Sequence, residues 1–234
     1  MADIEKGNTH KDIGRFEQSA IDASAARQLA IQGPGPGIRR IANPGPLGLF
    51  SFASTTLILS LFNVQARGIT TPNVVVGMAL GVGGLAQLLA GQWEFVCGNT
   101  FGATAFTSYG AFWFSFGAIY LPGSGILAAY TGDAADQLAS ALGIYLMTWF
   151  IITFLFLVAA IRTHLAFIAL FGFLSITFIL LAAGFFTGME AVTKAGGAVG
   201  IVTALIAYYT GASELINRET SYFALPVMRF RRID

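Results

Sequence analysis

Six long apolar stretches, set apart by short polar connections, run from about residue 46 to residue 213. They cover residues 46–64, 74–93, 101–121, 138–161, 165–186 and 195–213. Each approaches the ~20 mostly apolar residues that a helix needs to cross the hydrocarbon core. The fifth is the cleanest, since Leu165 to Thr187 holds no charged side chain. Between Ala42 and Ser213 the only charges are Arg67, Glu94, Asp133, Asp136, Arg162, Glu190 and Lys194. A chain this short cannot bury six such helices inside a soluble core. The pattern therefore predicts an all-α membrane protein with six transmembrane helices.

The flanks are different material. Residues 1–40 mix Lys6, Lys11, Arg15 and Arg27 with Asp3, Glu5, Asp12, Glu17 and Asp22. They read as a solvated tail, or as one containing a short helix over Phe16–Ile31, followed by a Gly33–Gly37 hinge. No apolar stretch lies near the start, so no cleaved signal peptide is expected. The expected division is a tail over 1–40, a transmembrane domain over 41–213 and a second tail over 214–234. Six spans put both tails on one side, together with Arg39, Arg40, Arg162, Arg218, Arg229, Arg231 and Arg232. Arg67, Lys194 and the Asp133–Asp136 loop fall on the other side. Cytoplasmic loops carry the excess of Lys and Arg, which places both termini in the cytoplasm.

Composition agrees and removes several chemistries. Hydrophobic residues make up 55% of the chain and charged residues 11%, against about 25% charged in ordinary soluble domains. Cys97 is the lone cysteine, and His10 and His164 lie far apart in sequence. That argues against a disulfide, a thiolate cluster or a metal site. No nucleophile-elbow spacing occurs, and ionisable groups are almost absent from the apolar stretches, so neither an enzyme nor a cofactor is expected. With a net charge of +1 and no basic stripe, nucleic acid is not an expected partner.

The run Asn43-Pro44-Gly45-Pro46-Leu47-Gly48-Leu49 opens the first apolar stretch. Physically it marks a helix start: proline suits the first turn, and Asn43 is a natural N-cap. As a string it closely resembles the Asn-Pro-Ala-Pro-Leu-Gly-Leu signature of the acetate uptake transporter family, also called the succinate–acetate permeases. The one departure is Gly45 in place of alanine. Further fragments are similar to the same family: Phe62-Asn63, Gly68-Ile69-Thr70, Pro72 to Gly77, Trp93-Glu94, Asn99 to Gly102, Ser108-Tyr109-Gly110, Phe112-Trp113 and Ala195-Gly196-Gly197. The likeness covers roughly residues 40 to 225, and the tail before it resembles that of fungal members.

The resemblance implies transport of acetate and related short-chain monocarboxylates in the plasma membrane, as a proton-coupled permease or an anion channel. It also implies a hexamer in which each protomer carries its own narrow pathway. Pro44, Pro46, Leu47, Gly48 and Leu49 belong to that pathway through the signature. Phe52, Tyr109 and Leu174 resemble the family's central constriction, and Ala207 resembles a position that tunes substrate size. The first three also lie several residues into the odd-numbered stretches, at a comparable depth of about 10 Å.

The chemistry is consistent. An acetate-sized acid has a pKa near that of Glu, about 4.3, and is an anion at neutral pH. No Lys or Arg lies mid-stretch, so neutral donors must meet the carboxylate. Candidates are the backbone N–H groups after Asn43 and the side chains of Asn99, Thr100, Ser108 and Tyr109. Packing or a bond to the helix backbone is the competing role of each hydroxyl. Glu94 has two readings: a proton-linked or gating carboxylate, or a helix-end residue paired with Trp93 or Asn99. Glycines four apart, Gly77 with Gly81, Gly98 with Gly102 and Gly196 with Gly200, fit close helix packing within the bundle or between protomers. Beside the acetate permease stand two other classes: a channel for a small neutral solute or ammonia, and a non-transporting membrane sensor or scaffold.

Overall fold

The structure is a computed structural model that describes residues 41–216 and 221–227. The expected Phe16–Ile31 helix, the Gly33–Gly37 hinge and the arginines at 39, 40, 218, 229, 231 and 232 lie outside these residues. Six long helices follow one another: α1 (Gly45–Asn63), α2 (Val75–Val96), α3 (Thr100–Tyr120), α4 (Gln137–Ala160), α5 (Leu165–Thr187) and α6 (Glu190–Leu215). Three single-turn helices fill the connection from α3 to α4.

Among the described residues, five helices are long and apolar enough to cross a membrane: α1, α2, α4, α5 and α6. The remaining one, α3, is long but diluted by three glycines and by Thr100, Thr104, Thr107, Ser108 and Ser115. Its position supplies the reason. Ten of its 21 residues are buried against the rest of the protein, so much of its surface meets other helices and needs little apolarity of its own.

The helices form a ring in chain order. α1 packs on α6, α6 on α5, α5 on α4, and α2 on both α1 and α3. Side chains join α3 to α4: Phe112 stacks on Tyr145 at 5.8 Å and meets Trp149 edge-on at 5.0 Å. Glycines set the close approaches. A methyl group on Gly48 would strike the Phe106 ring at 2.6 Å, and one on Gly110 would strike Leu88 at 2.8 Å. Gly196 and Gly200 face Leu181 and Ser60 in the same way, which makes that pair a packing element within the bundle. Gly98 instead sits in the α2–α3 turn with φ +77°, a conformation that asks for glycine.

Two helices run beyond their apolar windows. α2 extends to Val96 and takes Glu94 into its last turn. α6 begins at Glu190, before the window at 195, because Glu190 and Lys194 pair at 2.6 Å one turn apart and support a charged first turn. It also runs past residue 213 and so includes Glu214.

α2 is not uniform. Residues Ala79–Ala86 are wound as a π-helix, and the amide of Gln87 bonds the carbonyl of Val82, five residues back. An extra residue in a turn shifts every later side chain around the helix axis, and such segments are frequent at functional sites.

Candidate functional site

Most of the buried aromatic side chains come from α3, joined by Phe52 of α1, Phe156 of α4, and Phe171 and Phe178 of α5. Phe52, Tyr109 and Leu174 are 5%, 2% and 3% exposed, and the Phe52 and Tyr109 ring centres are 5.4 Å apart. A cavity opens on either side of this pair. The first, about 210 Å3, is lined by Leu49, Phe52, Gln87, Glu94, Asn99 and Tyr109 together with Asn43, Glu214 and other residues. The second, about 160 Å3, is lined by Phe52, Tyr109 and Leu174, with Thr56, Trp113, Asn63 and others. Phe52 and Tyr109 are common to both. A third cavity of about 220 Å3 shares Asn63, Pro72 and Thr193 with the second and reaches Glu190. The three follow one another, and among the described residues no Lys or Arg lines any of them.

Two Asn–Glu pairs line the first cavity. Asn99 is the N-cap of α3: its Oδ1 accepts the Gly102 amide at 3.1 Å, and its Nδ2 donates to Glu94 Oε2 at 2.8 Å. Asn43 repeats the arrangement on α1, where Oδ1 accepts the Gly45 amide at 2.9 Å and Nδ2 donates to Glu214 Oε2 at 3.1 Å. The N-cap position itself belongs to Pro44, not Asn43. Having no side-chain acceptor, proline leaves the capping bond to its neighbour. A methyl group on Gly45 would collide with the Glu214 carboxylate, so the single departure from the signature makes room for that acid. Glu94 is 4% exposed, and of its two expected partners it takes Asn99.

Other expected residues fall elsewhere. Leu47 faces outward, 51% exposed. Pro46 and Gly48 are buried at the helix start, and Pro44 is partly so. Thr100, exposed, and Ser108, partly buried, line neither of the two central cavities. Ala207 is fully buried in the apolar core. The Tyr109 hydroxyl lies 2.9 Å from Thr153 Oγ1, which itself donates to the Trp149 carbonyl. The phenol proton is therefore committed to α4, and Tyr109 presents its ring to the cavities.

Gln87 is the residue that the apolar pattern conceals. It is 0% exposed and lines the first cavity, and neither its Nε2 nor its Oε1 has a hydrogen-bond partner. A buried amide left unsatisfied is costly. It stands immediately after the π-wound segment that sets its direction. Gln87 is also the one amide side chain in the middle of an apolar stretch, Asn63 and Gln92 being close to the ends, and that was the signal available. Among the described residues, no group of three or more His, Cys, Asp and Glu side chains could hold a metal ion.

Comparison with known proteins places this geometry. The chain is 50% identical over 229 residues to ammonia transport outward protein 2 of Saccharomyces cerevisiae, covering 94% of this chain and 80% of that one. It is 44% identical over 201 residues to acetate permease A of Emericella nidulans, covering 82% and 67%. The solved structure of the bacterial acetate channel SatP superposes with a TM-score of 0.69 at 36% identity, over 77% of this chain and 95% of that one. The GPR1/FUN34/yaaH family profile matches residues 32–232. The chain thus belongs to the GPR1/FUN34/yaaH family, a family of membrane transporters and channels rather than enzymes.

Proposed function

We propose that this protein carries acetate and related short-chain monocarboxylates across the plasma membrane. The pathway runs through the chain of cavities, with Phe52, Tyr109 and Leu174 as its constriction. The observation that carries this reading is the pair of cavities meeting at Phe52 and Tyr109, with the unpartnered Gln87 amide on one side. A carboxylate crossing an apolar bundle needs hydrogen-bond donors, and weak neutral ones hold it without trapping it. Gln87 Nε2 is such a donor beside the narrowest point. The relatives named for acetate support the same substrate class.

In this reading α3 is the sixth span, and both termini face the cytoplasm. Asn43, Glu94, Asn99 and Glu214 then form the cytoplasmic mouth. An epitope inserted after Ala134 should bind antibody on intact cells; binding only after permeabilisation would overturn the topology. Assembly is proposed as a hexamer. Gly77 and Gly81 support it, because they are exposed one turn apart on α2 with open space above them, a surface suited to close helix approach.

Ammonia transport is a second reading, favoured by one observation. Two carboxylates, Glu94 and Glu214, line the mouth, and the relative named for ammonia is 50% identical. Uptake of radiolabelled acetate into proteoliposomes, with methylammonium flux measured in the same vesicles, decides between them. Acetate uptake at two pH values separates proton coupling from passive anion flow. Vesicles that carry methylammonium and no acetate would overturn the first reading.

A further inference from the structure

We propose that an anionic glycerophospholipid binds in a groove on the outer side of α5 and α6, with one acyl chain in the groove and the phosphate near Arg162 at its end. The groove holds about 530 Å3 and shares no lining residue with the three cavities of the pathway. α5 contributes Leu165 and Ala169, α6 contributes Val202, Leu205 and Tyr209, and the segment after α6 contributes Pro226. That segment is tied back by the Tyr209 hydroxyl, which donates to the Pro226 carbonyl at 2.6 Å. Two helices and a returning chain thus wall a slot, and the small side chain of Ala169 leaves it open. Leu165, Val202, Leu205 and Tyr209 are all exposed, so the slot faces away from the bundle interior.

Charge at one end of the slot names the occupant. α5 begins at Leu165, and Arg162 is exposed three residues earlier, which places its backbone within about 11 Å of the groove. Beyond Val227, which also lines the groove, the sequence continues Met228-Arg229-Phe230-Arg231-Arg232. A chain spans at most about 3.6 Å per residue, so Arg229 lies within ~7 Å of Val227 and Arg232 within ~18 Å, whatever the path between them. Four cations are therefore in reach of the end of an apolar slot. A guanidinium matches phosphate oxygens in charge and geometry, and juxtamembrane basic clusters attract anionic lipids of the cytoplasmic leaflet. The slot itself suits an alkyl chain: Val202 to Tyr209 covers roughly 10 Å of helix. A zwitterionic lipid brings the same chains and phosphate, but its own ammonium offsets the attraction. The proposed orientation enters only through the leaflet that supplies the lipid.

Photolabelling of the full chain in proteoliposomes tests the site. The probes are phosphatidylserine and phosphatidylcholine, each with a diazirine on one acyl chain and present in both leaflets, so the outcome does not depend on topology. Phosphatidylserine should label peptides holding residues 165–169 and 202–209 more heavily than the outer face of α4 around Ile151 and Leu155. Leu205→Trp and Ala169→Trp fill the slot, and each should cut that labelling severalfold while leaving α4 labelling unchanged. One cation near the membrane surface corresponds to roughly fivefold in affinity for an anionic lipid. Arg162→Gln should lower the phosphatidylserine preference by about that factor, and Arg162→Lys should retain most of it. Replacing Arg229, Arg231 and Arg232 together by Gln should lower it further. Each variant is first matched to wild type by melting in detergent. Even labelling of α4, α5 and α6 by both probes would overturn the site and leave only annular lipid. Labelling of α4 with none on α5 and α6 would overturn it too, since a second copy of the chain would then cover the face. A preference unchanged in both arginine variants would overturn the headgroup assignment. Failure of acetate uptake bears on the transport reading and leaves these outcomes untouched.

Discussion

Asn99 donates to the Glu94 carboxylate at 2.8 Å while its own carbonyl oxygen takes the Gly102 amide at the head of α3. One side chain thus serves the acid at the end of α2 and the start of the next helix. Asn99→Ala should lose about 1 kcal/mol for the cap, with a further ~1–3 kcal/mol for the acceptor left without its donor. Asn99→Asp keeps the cap but sets two carboxylates against each other, so it should also melt below wild type. Thermal unfolding of the purified protein in detergent, followed by size exclusion, reads both effects.

Asn43→Ala removes the bond to Gly45 and one hydrogen bond to Glu214 together. Acetate uptake should fall out of proportion to the amount of folded protein in the membrane. Gly45→Ala restores the family signature and drives the Glu214 carboxylate off its position. It should weaken the Asn43 contact while leaving the α1 start intact, giving a milder defect than Asn43→Ala. Normal uptake by Asn43→Ala would reduce the motif to packing.

Gln87→Leu separates function from stability. Removing a buried, unsatisfied amide relieves a desolvation penalty of about 1–3 kcal/mol, so the variant should melt no lower than wild type, and higher if Leu packs well. Acetate uptake should nevertheless drop, because the donor beside the constriction is gone. A variant that is both unstable and inactive would show that Gln87 supports the fold instead.

In the proposed pathway, Leu174→Ala widens the constriction from the α5 side and leaves the Phe52 and Tyr109 rings in place. Discrimination should shift by roughly 1–3 kcal/mol toward larger acids, read as a rise in the lactate-to-acetate uptake ratio. Ala207→Gly should act in the same direction through the packing of α6. An unchanged ratio for Leu174→Ala in matched membranes would remove that residue from the pathway.

Tyr109→Phe and Tyr109→Ala should part company. The hydroxyl bonds Thr153, so Tyr109→Phe should cost about 1 kcal/mol of stability and keep selectivity. Tyr109→Ala removes the ring itself and should lose selectivity broadly. Equal selectivity loss in both variants would mean that the hydroxyl takes part in the passage.

The helices were legible because a membrane core imposes a length and an apolarity that few other folds require, and the predicted windows lie within a few residues of most ends. α6 began earlier than expected because the Glu190–Lys194 pair neutralises its own charges, which a window of apolar residues does not register. The proposed constriction of Phe52, Tyr109 and Leu174 rests on the resemblance and on their equal depth along the apolar stretches; the structure adds that all three are buried. Gln87 was hidden in an apolar run because its importance lies in a direction set by the π-wound turn before it. The Thr153 partner of Tyr109 was hidden for a different reason: the two are 44 residues apart and meet only when α3 packs against α4. Glu214 lay just past the last apolar window and read as tail until α6 carried it to Asn43.

The closure of the ring by α1 and α6 has a consequence for biogenesis. The Asn43–Glu214 bond joins residues 171 positions apart, and α1 packs extensively on α6, which is synthesised long after it. During translation α1 must therefore wait in the bilayer without its principal neighbour. Ser54 and Thr55 are suited to the delay, since their hydroxyls bond carbonyls of their own helix and require no second helix to be satisfied in lipid. A ribosome stalled before α6 should thus hold a stable but unassembled chain, whose α1 remains open to crosslinking by lipid-borne reagents until Glu214 emerges.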